Sequence, residues 1–417
     1  MARLHIVGGT PLCGEIRIQG SKNGALPILA ATLLCEGVCV LENCPAISDV
    51  LVAQEILASL GCHVVLQDNT LLIDATDASG YAISEDLMRR MRSSVIFLGA
   101  MLARCGRAVM TYPGGCQLGP RPIDLHLSAL EKLGARVQEL NGELHCRAER
   151  PLRGQTVVLS FPSVGATENI LLAACTAEGE TVIECAACEP EIVELASFLN
   201  RCGARISGAG GPVIRIEGVK RLHGCRYRLE GDRIVAATYL AGAAITGGEV
   251  LLTDFDPAQL NSVRQVLENA GCLTEAAARG LYLRAPRRLE AMGAIRTMPY
   301  PGFPTDAQAV MMAASTVAQG TTIFLETIFS ERFKHCSELT RMGANIRVFE
   351  RVAVVEGVST LHGARVQAEE LRGGAALAVA ALAAEGETVV ENVEFIERGY
   401  ADLAGDLQRL GAVAIRK

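Results

Sequence analysis

Six Ala- and Leu-rich stretches with few charges on any face dominate the hydrophobic pattern of the chain, at residues 25–34, 94–103, 167–174, 235–244, 307–314 and 375–384. A helix that is apolar all round belongs in an interior. Punctuation follows each one, at Glu36-Gly37, Cys105-Gly106, Glu178-Gly179, Gly247-Gly248, Gln319-Gly320 and Glu385-Gly386. Strand-like runs come next, such as Glu180-Thr-Val-Ile-Glu and Glu387-Thr-Val-Val-Glu, in which apolar and polar positions alternate. A more amphipathic helix then closes on Leu-x-x-x-Gly or a near variant, ahead of further strands. The glycines of these six closures are Gly61, Gly134, Gly203, Gly271, Gly343 and Gly411, spaced 68 to 73 residues apart. Each reads as the left-handed residue that ends a helix.

A repeat of roughly seventy residues exceeds the 20 to 50 of the short-repeat solenoids. Six such units in 417 residues suit two compact α/β domains of three units each, with helices enclosed by sheets. The polar starts of the buried helices would then cluster. They are Ser21-Lys22-Asn23-Gly24, Arg89-Arg90-Met91-Arg92-Ser93, Ser163-Val164-Gly165-Ala166-Thr167, Gly231-Asp232-Arg233, Pro304-Thr305-Asp306 and Leu371-Arg372-Gly373-Gly374. Any one of them is an ordinary cap or a solvated face. Basic residues recurring at the same place in several repeats, beside free N–H groups and positive dipole ends, predict an anion site.

One loop interrupts this regularity. Pro113-Gly-Gly-Cys-Gln-Leu-Gly-Pro-Arg-Pro122 sets Cys116 among turn formers, five residues before Arg121 and shortly before Asp124 and His126. Its prolines and glycines exclude ordinary helix or central strand. Most of the fifteen cysteines read as small buried hydrophobes. Cys116 instead has the electropositive setting in which a thiol's chemistry matters. The loop alone leaves nucleophile, metal ligand, redox centre and proton donor open.

Composition narrows the partners. Half the residues are hydrophobic and a fifth charged, as in a globular soluble protein. A formal net charge of −7, four per cent aromatics and no Trp give no electrostatic footprint or stacking platform for nucleic acid. The amino terminus lacks a charged leader followed by a long apolar core, and the run at 373–384 is too short to span a bilayer, so a cytoplasmic protein without membrane insertion is expected. An odd, scattered set of cysteines argues against a disulfide framework. Cys185-x-x-Cys188 has no second Cys or His pair at matching spacing to make a zinc site. No motif requires a metal or a cofactor, and no phosphate-binding Gly-x-x-x-x-Gly-Lys-Ser/Thr run occurs.

Across essentially its whole length the chain resembles the enolpyruvyl transferases, in particular the UDP-N-acetylglucosamine 1-carboxyvinyltransferase family. The resemblance rests on Gly20-Ser-Lys-Asn-Gly-Ala-Leu-Pro, Pro113-Gly-Gly-Cys with Gly119-Pro-Arg-Pro, Phe161-Pro-Ser-Val-Gly-Ala-Thr, Pro301-Gly-Phe-Pro-Thr-Asp-Ala-Gln, Glu331-Arg-Phe with Arg341-Met-Gly-Ala, and Arg398-Gly-Tyr. It implies two inside-out α/β domains, each of three βαβαββ repeats. The first would be discontinuous, 1–21 with 230–417, and the second, 22–229, would carry the Cys116 loop. The implied reaction moves the enolpyruvyl group of phosphoenolpyruvate to the 3-hydroxyl of UDP-N-acetylglucosamine and releases phosphate, opening peptidoglycan synthesis. No cofactor is implied.

Carried over position by position, the resemblance makes Cys116 the general acid toward the methylene of phosphoenolpyruvate, and the thiol alkylated by fosfomycin. Asp306 becomes the base near the sugar hydroxyl. Lys22, Arg121 and Arg398 match phosphate-binding positions, and Arg332 and Arg372 match positions near the carboxylate. Sugar-nucleotide positions are matched by Asn23, Arg92, Arg121, Thr305, Asp306 and Ile328, by Ser163, Val164 and Gly165 at a diphosphate-binding helix start, and by Pro122, Asp124 and His126 around uridine. His126 reads equally as a structural histidine. The chain departs from the family pattern at Val235, Ala237, Ser330, Glu370 and Phe395. Two other readings share this architecture: a transferase acting on shikimate 3-phosphate, against which Cys116 argues, and a sugar-nucleotide-binding regulator without catalysis.

A thiol acid must hold its proton, so turnover is expected to fall as pH rises through the ionisation of Cys116. Cys116→Asp moves this loss to lower pH, because a carboxyl ionises earlier than a thiol. Rate profiles of both proteins check this; loss of activity at the same pH in each contradicts thiol ionisation as the cause.

Overall fold

The computed structural model describes residues 2–112 and 122–417. Cys116 and Arg121 therefore lie outside the described residues. The chain divides into two compact units, one taking the chain up to Gln19 and from Gly231 to Lys417, the other the described residues between Gly20 and Glu230. Each has its own core.

One design recurs in six small mixed sheets. In the 20–230 unit, Val38–Glu42 pairs in parallel with Arg226–Arg228 and antiparallel with Thr70–Asp74, which pairs antiparallel with His63–Gln67. The Glu180–Glu184 sheet repeats this with Thr156–Val158, Val213–Glu217 and Arg205–Ser207. Arg107–Thr111 repeats it with Glu143–Ala148 and Ala135–Leu140, its parallel neighbour reduced to a bridge between Ala82 and Val109. The other unit has the same three sheets around Glu249–Thr253, Thr321–Leu325 and Glu387–Glu391. There the middle antiparallel strand beside Glu387–Glu391 is Leu4–Val7, so the start of the chain completes its last repeat.

The near-uncharged stretches are the buried helices. Lys22–Thr32, Phe97–Cys105 and Val164–Ala174 meet inside one unit, and Arg233–Thr246, Thr305–Ser315 and Leu371–Ala383 inside the other. The second of these begins later than its apolar pattern predicts, because residues 92–96 form a 3-10 turn first. Close packing there has a backbone cause: a Cβ on Gly99 would come 2.3 Å from the Asn169 carbonyl oxygen. All six closing glycines have φ between +90° and +102°, a region that costs other residues steric strain. The ends of the outer helices are thereby fixed at the same place in every repeat. Among the described residues, no helix is long and apolar enough to cross a membrane.

Candidate active site

In the unit holding residues 231–417, three central helix starts bring charge together. Asp306 is the second residue of the Thr305–Ser315 helix. Its Oδ1 accepts from Arg332 Nη2 and its Oδ2 from Arg372 Nη2, each at 3.0 Å. Arg332 Nη2 also donates to the Thr305 carbonyl at 3.0 Å. Both guanidiniums are buried, at 2% and 3% exposure, whereas Asp306 is half-buried. Burial alone would push the Arg372 pKa down, but the Asp306 carboxylate, Tyr400 and Asp232 outweigh it and leave it raised. Arg332 Nε and Arg372 Nη1 are buried donors without a hydrogen-bond partner. Such a donor carries a desolvation cost that an added acceptor would relieve.

Two acidic residues hold this arrangement. Glu370 caps the Leu371–Ala383 helix, accepting from the Arg372 N–H at 2.8 Å and from the Gly373 N–H, and its Oε2 lies 3.7 Å from Arg332 Nη1. The longer side chain at this departure thus serves both as cap and as partner to the guanidinium. Glu326, fully buried, accepts from Thr297 Oγ1 at 2.9 Å, Thr305 Oγ1 at 3.0 Å and the N–H groups of Ile328 and Phe329 at 2.8 and 3.1 Å. It joins Thr305 to the turn that carries Ile328. Arg398, half-buried, ends the 3-10 turn Val393–Arg398. Gln19 fixes the following backbone, donating to the Gly399 carbonyl at 3.1 Å and accepting from the Ala401 N–H at 2.9 Å. Val235 and Ala237 are core positions, Phe395 packs against the core, and Ser330 is exposed.

The 20–230 unit contributes a different set. Ser21 caps the first helix by accepting from the Gly24 N–H at 3.1 Å, and Lys22 Nζ pairs with Asp49 Oδ2 at 2.8 Å, both groups buried. Asn23 and Arg92 are half-buried. Ser163 caps the Val164–Ala174 helix, accepting from the Ala166 N–H at 3.3 Å. A Cβ on Gly165 would come 2.8 Å from His126 Cε1, so the glycine admits the imidazole to this helix start. Asn169 Oδ1 accepts from the Gly99 N–H at 2.6 Å and its Nδ2 donates to the Val95 carbonyl at 3.1 Å, which orients the amide to donate to His126 Nδ1 at 2.9 Å. The ring proton is then on Nε2. His126 is buried, while Pro122 and Asp124 are exposed.

Several residues here give no sequence signal. Asp49 sits in the first turn of the Ser48–Ser59 helix, where an acid is ordinary. Glu168 faces inward from the Val164–Ala174 helix; burial, then Glu191 and Glu189, push its carboxyl well above the usual range. Glu326 follows an exposed-and-buried strand and reads as a solvated strand end. Only their burial distinguishes them.

His335, also buried, lies beside Glu370 and Arg332. Burial pushes its pKa down to about 4, with Glu370 opposing and Arg332 adding to the shift. A lowered folded-state pKa means that the unfolded chain takes up the proton first. The contribution is therefore complete above pH 6.5 and is lost as pH falls from 6.5 toward about 4, at most about 3 kcal/mol. Urea unfolding of wild type and His335→Gln across that window is expected to show a shallower pH slope for the variant. Identical slopes would place the proton uptake elsewhere.

Comparison with known proteins fits this geometry. Residues 6–407 match the family model for EPSP synthase (3-phosphoshikimate 1-carboxyvinyltransferase). A protein named UDP-N-acetylglucosamine 1-carboxyvinyltransferase 2, from Caldanaerobacter subterraneus subsp. tengcongensis, is 48% identical over 100% of both chains. UDP-N-acetylglucosamine 1-carboxyvinyltransferase 1 of Symbiobacterium thermophilum is 49% identical over 99% of this chain and 95% of its own. The crystal structure of the enolpyruvyl transferase NikO from Streptomyces tendae superposes with a TM-score of 0.89 at 25% identity, covering 100% of this chain and 99% of that one. The chain belongs to the enolpyruvyl transferase family, among the UDP-N-acetylglucosamine 1-carboxyvinyltransferases.

Proposed function

We propose that the protein is a cytoplasmic transferase that moves the enolpyruvyl group of phosphoenolpyruvate to the 3-hydroxyl of UDP-N-acetylglucosamine and releases phosphate, for peptidoglycan synthesis. The observation that carries this reading is the Arg332–Asp306–Arg372 clamp, in which two buried guanidiniums hold one carboxylate and each keeps a nitrogen without a partner. Planar guanidinium forks suit a substrate carboxylate, so these two arginines are assigned to the carboxylate of phosphoenolpyruvate. Lys22, Arg121 and Arg398 are assigned to its phosphate.

The chemistry is addition followed by elimination. Cys116 donates a proton to the methylene carbon, which leaves the adjacent carbon open to the sugar oxygen. Asp306 takes the proton of the sugar hydroxyl as the sugar oxygen bonds to that carbon. Each Asp306 carboxylate oxygen accepts from one guanidinium and keeps a second lone pair that can take this proton. Elimination then removes a proton from the new methyl group while the carbon–oxygen bond to phosphate breaks, which restores the double bond and releases phosphate. Asn23, Arg92, Ser163, Val164, Gly165, Pro122, Asp124, His126, Thr305 and Ile328 are assigned to the sugar nucleotide. Ser163 and Gly165 support the diphosphate assignment through the capped, open helix start described above.

Phosphate release is expected from phosphoenolpyruvate with UDP-N-acetylglucosamine and not with shikimate 3-phosphate. Cys116→Ala should lower it by roughly 100- to 10,000-fold while the sugar nucleotide still binds. Preference for shikimate 3-phosphate, or release by neither acceptor, would overturn the substrate assignment. Full turnover by Cys116→Ala would overturn the acid assignment.

A further inference from the structure

Four cysteines from the start and the end of the 20–230 unit meet in its core. The sulfurs of Cys35, Cys39 and Cys202 lie within 4.8 Å of one another, all buried. Cys225, half-buried, has its sulfur 3.4 Å from that of Cys202. Among the described residues, Cys35, Cys39 and Cys202 are the one group of three or more His, Cys, Asp or Glu side chains arranged so that a single ion could touch all of them. Cys35 and Cys39 belong to the strands Cys35–Glu36 and Val38–Glu42, near the start of the unit. Cys202 caps the end of the Pro190–Arg201 helix, and Cys225 lies between the strands Leu222–His223 and Arg226–Arg228, near the end of the unit.

The other unit provides an internal control, because it builds the same corner. Leu222 and His223 pair in parallel with Cys35 and Glu36, just as Leu361 and His362 pair with Ala384 and Glu385. Arg226 pairs with Val40 as Arg365 pairs with Val389. The His223 N–H donates to the Cys202 carbonyl at 2.9 Å, and the His362 N–H to the Met342 carbonyl at 2.8 Å. Register therefore matches Cys35 to Ala384, Cys39 to Thr388, Cys202 to Met342 and Cys225 to Ala364. The corner folds with no sulfur pair at all, so its packing does not call for four thiols.

We propose that Cys35, Cys39 and Cys202, with Cys225 as fourth ligand, form a structural site for a thiophilic ion of the zinc class, stapling the two ends of this unit together. Soft thiolates select such ions. A tetrahedral zinc site, with Zn–S near 2.3 Å, sets its sulfurs roughly 3.8 Å apart, close to the separations of Cys35, Cys39 and Cys202, within 4.8 Å, and of Cys202 and Cys225, 3.4 Å. Each thiol that ligates gives its proton to solvent. His223 beside Cys39 and Arg201 beside Cys225 carry groups that can balance the resulting negative charge. Cys35-x-x-x-Cys39 has the short spacing of a zinc-ligand pair, but Cys202 and Cys225 lie more than 160 residues further on, 23 residues apart from each other, and Cys185-x-x-Cys188 takes no part in the site.

Cobalt titration of the reduced, chelator-treated full chain tests this directly. The expected result is one ion per chain, with thiolate-to-cobalt charge-transfer bands and the intense visible bands of a tetrahedral site, reversed by zinc. The variant Cys35→Ala, Cys39→Thr, Cys202→Met, Cys225→Ala carries the residues of the matching corner, and the bands should vanish in it. Should that variant fail to fold, alkylation mapping of the wild type decides: zinc should protect the half-buried Cys225 from iodoacetamide. Absence of the bands in the wild type, their persistence in the variant, no protection by zinc, or a Cys202–Cys225 disulfide in place of metal binding would each overturn the proposal.

Discussion

A guanidinium buried in a protein interior needs an anion, and much of the 231–417 site follows from that need. Arg332 and Arg372 stand at 2% and 3% exposure, where an unpaired charge would cost several kcal/mol. Asp306 meets both, Glu370 approaches Arg332, and Glu326 accepts from the hydroxyl of Thr305, the residue before Asp306. The same reasoning applies to Lys22 and Asp49 in the other unit. Neither arrangement is an efficient way to gain stability, since an apolar pair of similar volume often does as well. Their placement at helix starts, rather than mid-core, is what gives them a use: anions are attracted to these ends, and the buried cations are already oriented there.

The architecture explains why the charges gather. Three helices apolar on every side can be covered only by sheets, and a common repeat gives all three the same polarity. Their polar starts must then emerge at one end of each unit. This much was legible in the sequence, because a seventy-residue period and uncharged helices survive divergence between repeats. The thiol loop and the Pro-Gly-Phe-Pro-Thr-Asp segment carried the family resemblance, and Asp306, Arg332 and Arg372 are brought within hydrogen-bonding distance of one another in the structure.

What the sequence did not disclose shares a physical feature. Asp49, Glu168, Glu326 and His335 look like ordinary residues of amphipathic segments, and only tertiary burial makes them partners of the site or alters their protonation. Glu370 was read as a departure from the family, yet its extra methylene lets one carboxylate cap a helix and approach Arg332. Val235 and Ala237, also departures, are buried core residues. The four-cysteine corner was missed because Cys35-x-x-x-Cys39 finds its second pair, Cys202 and Cys225, only at the other end of the domain, and local spacing is blind to such closure.

The central claim is that Arg332 and Arg372 are anion receptors held ready by Asp306. Titration of phosphoenolpyruvate into the wild type and Arg372→Lys, with UDP-N-acetylglucosamine present throughout, tests it most directly. Lysine keeps the charge but loses the fork, so binding of phosphoenolpyruvate should weaken by about 1.5–3 kcal/mol, the value of a hydrogen bond to a charged group, with sugar-nucleotide affinity unchanged. Equal affinity of both proteins for phosphoenolpyruvate would contradict the account.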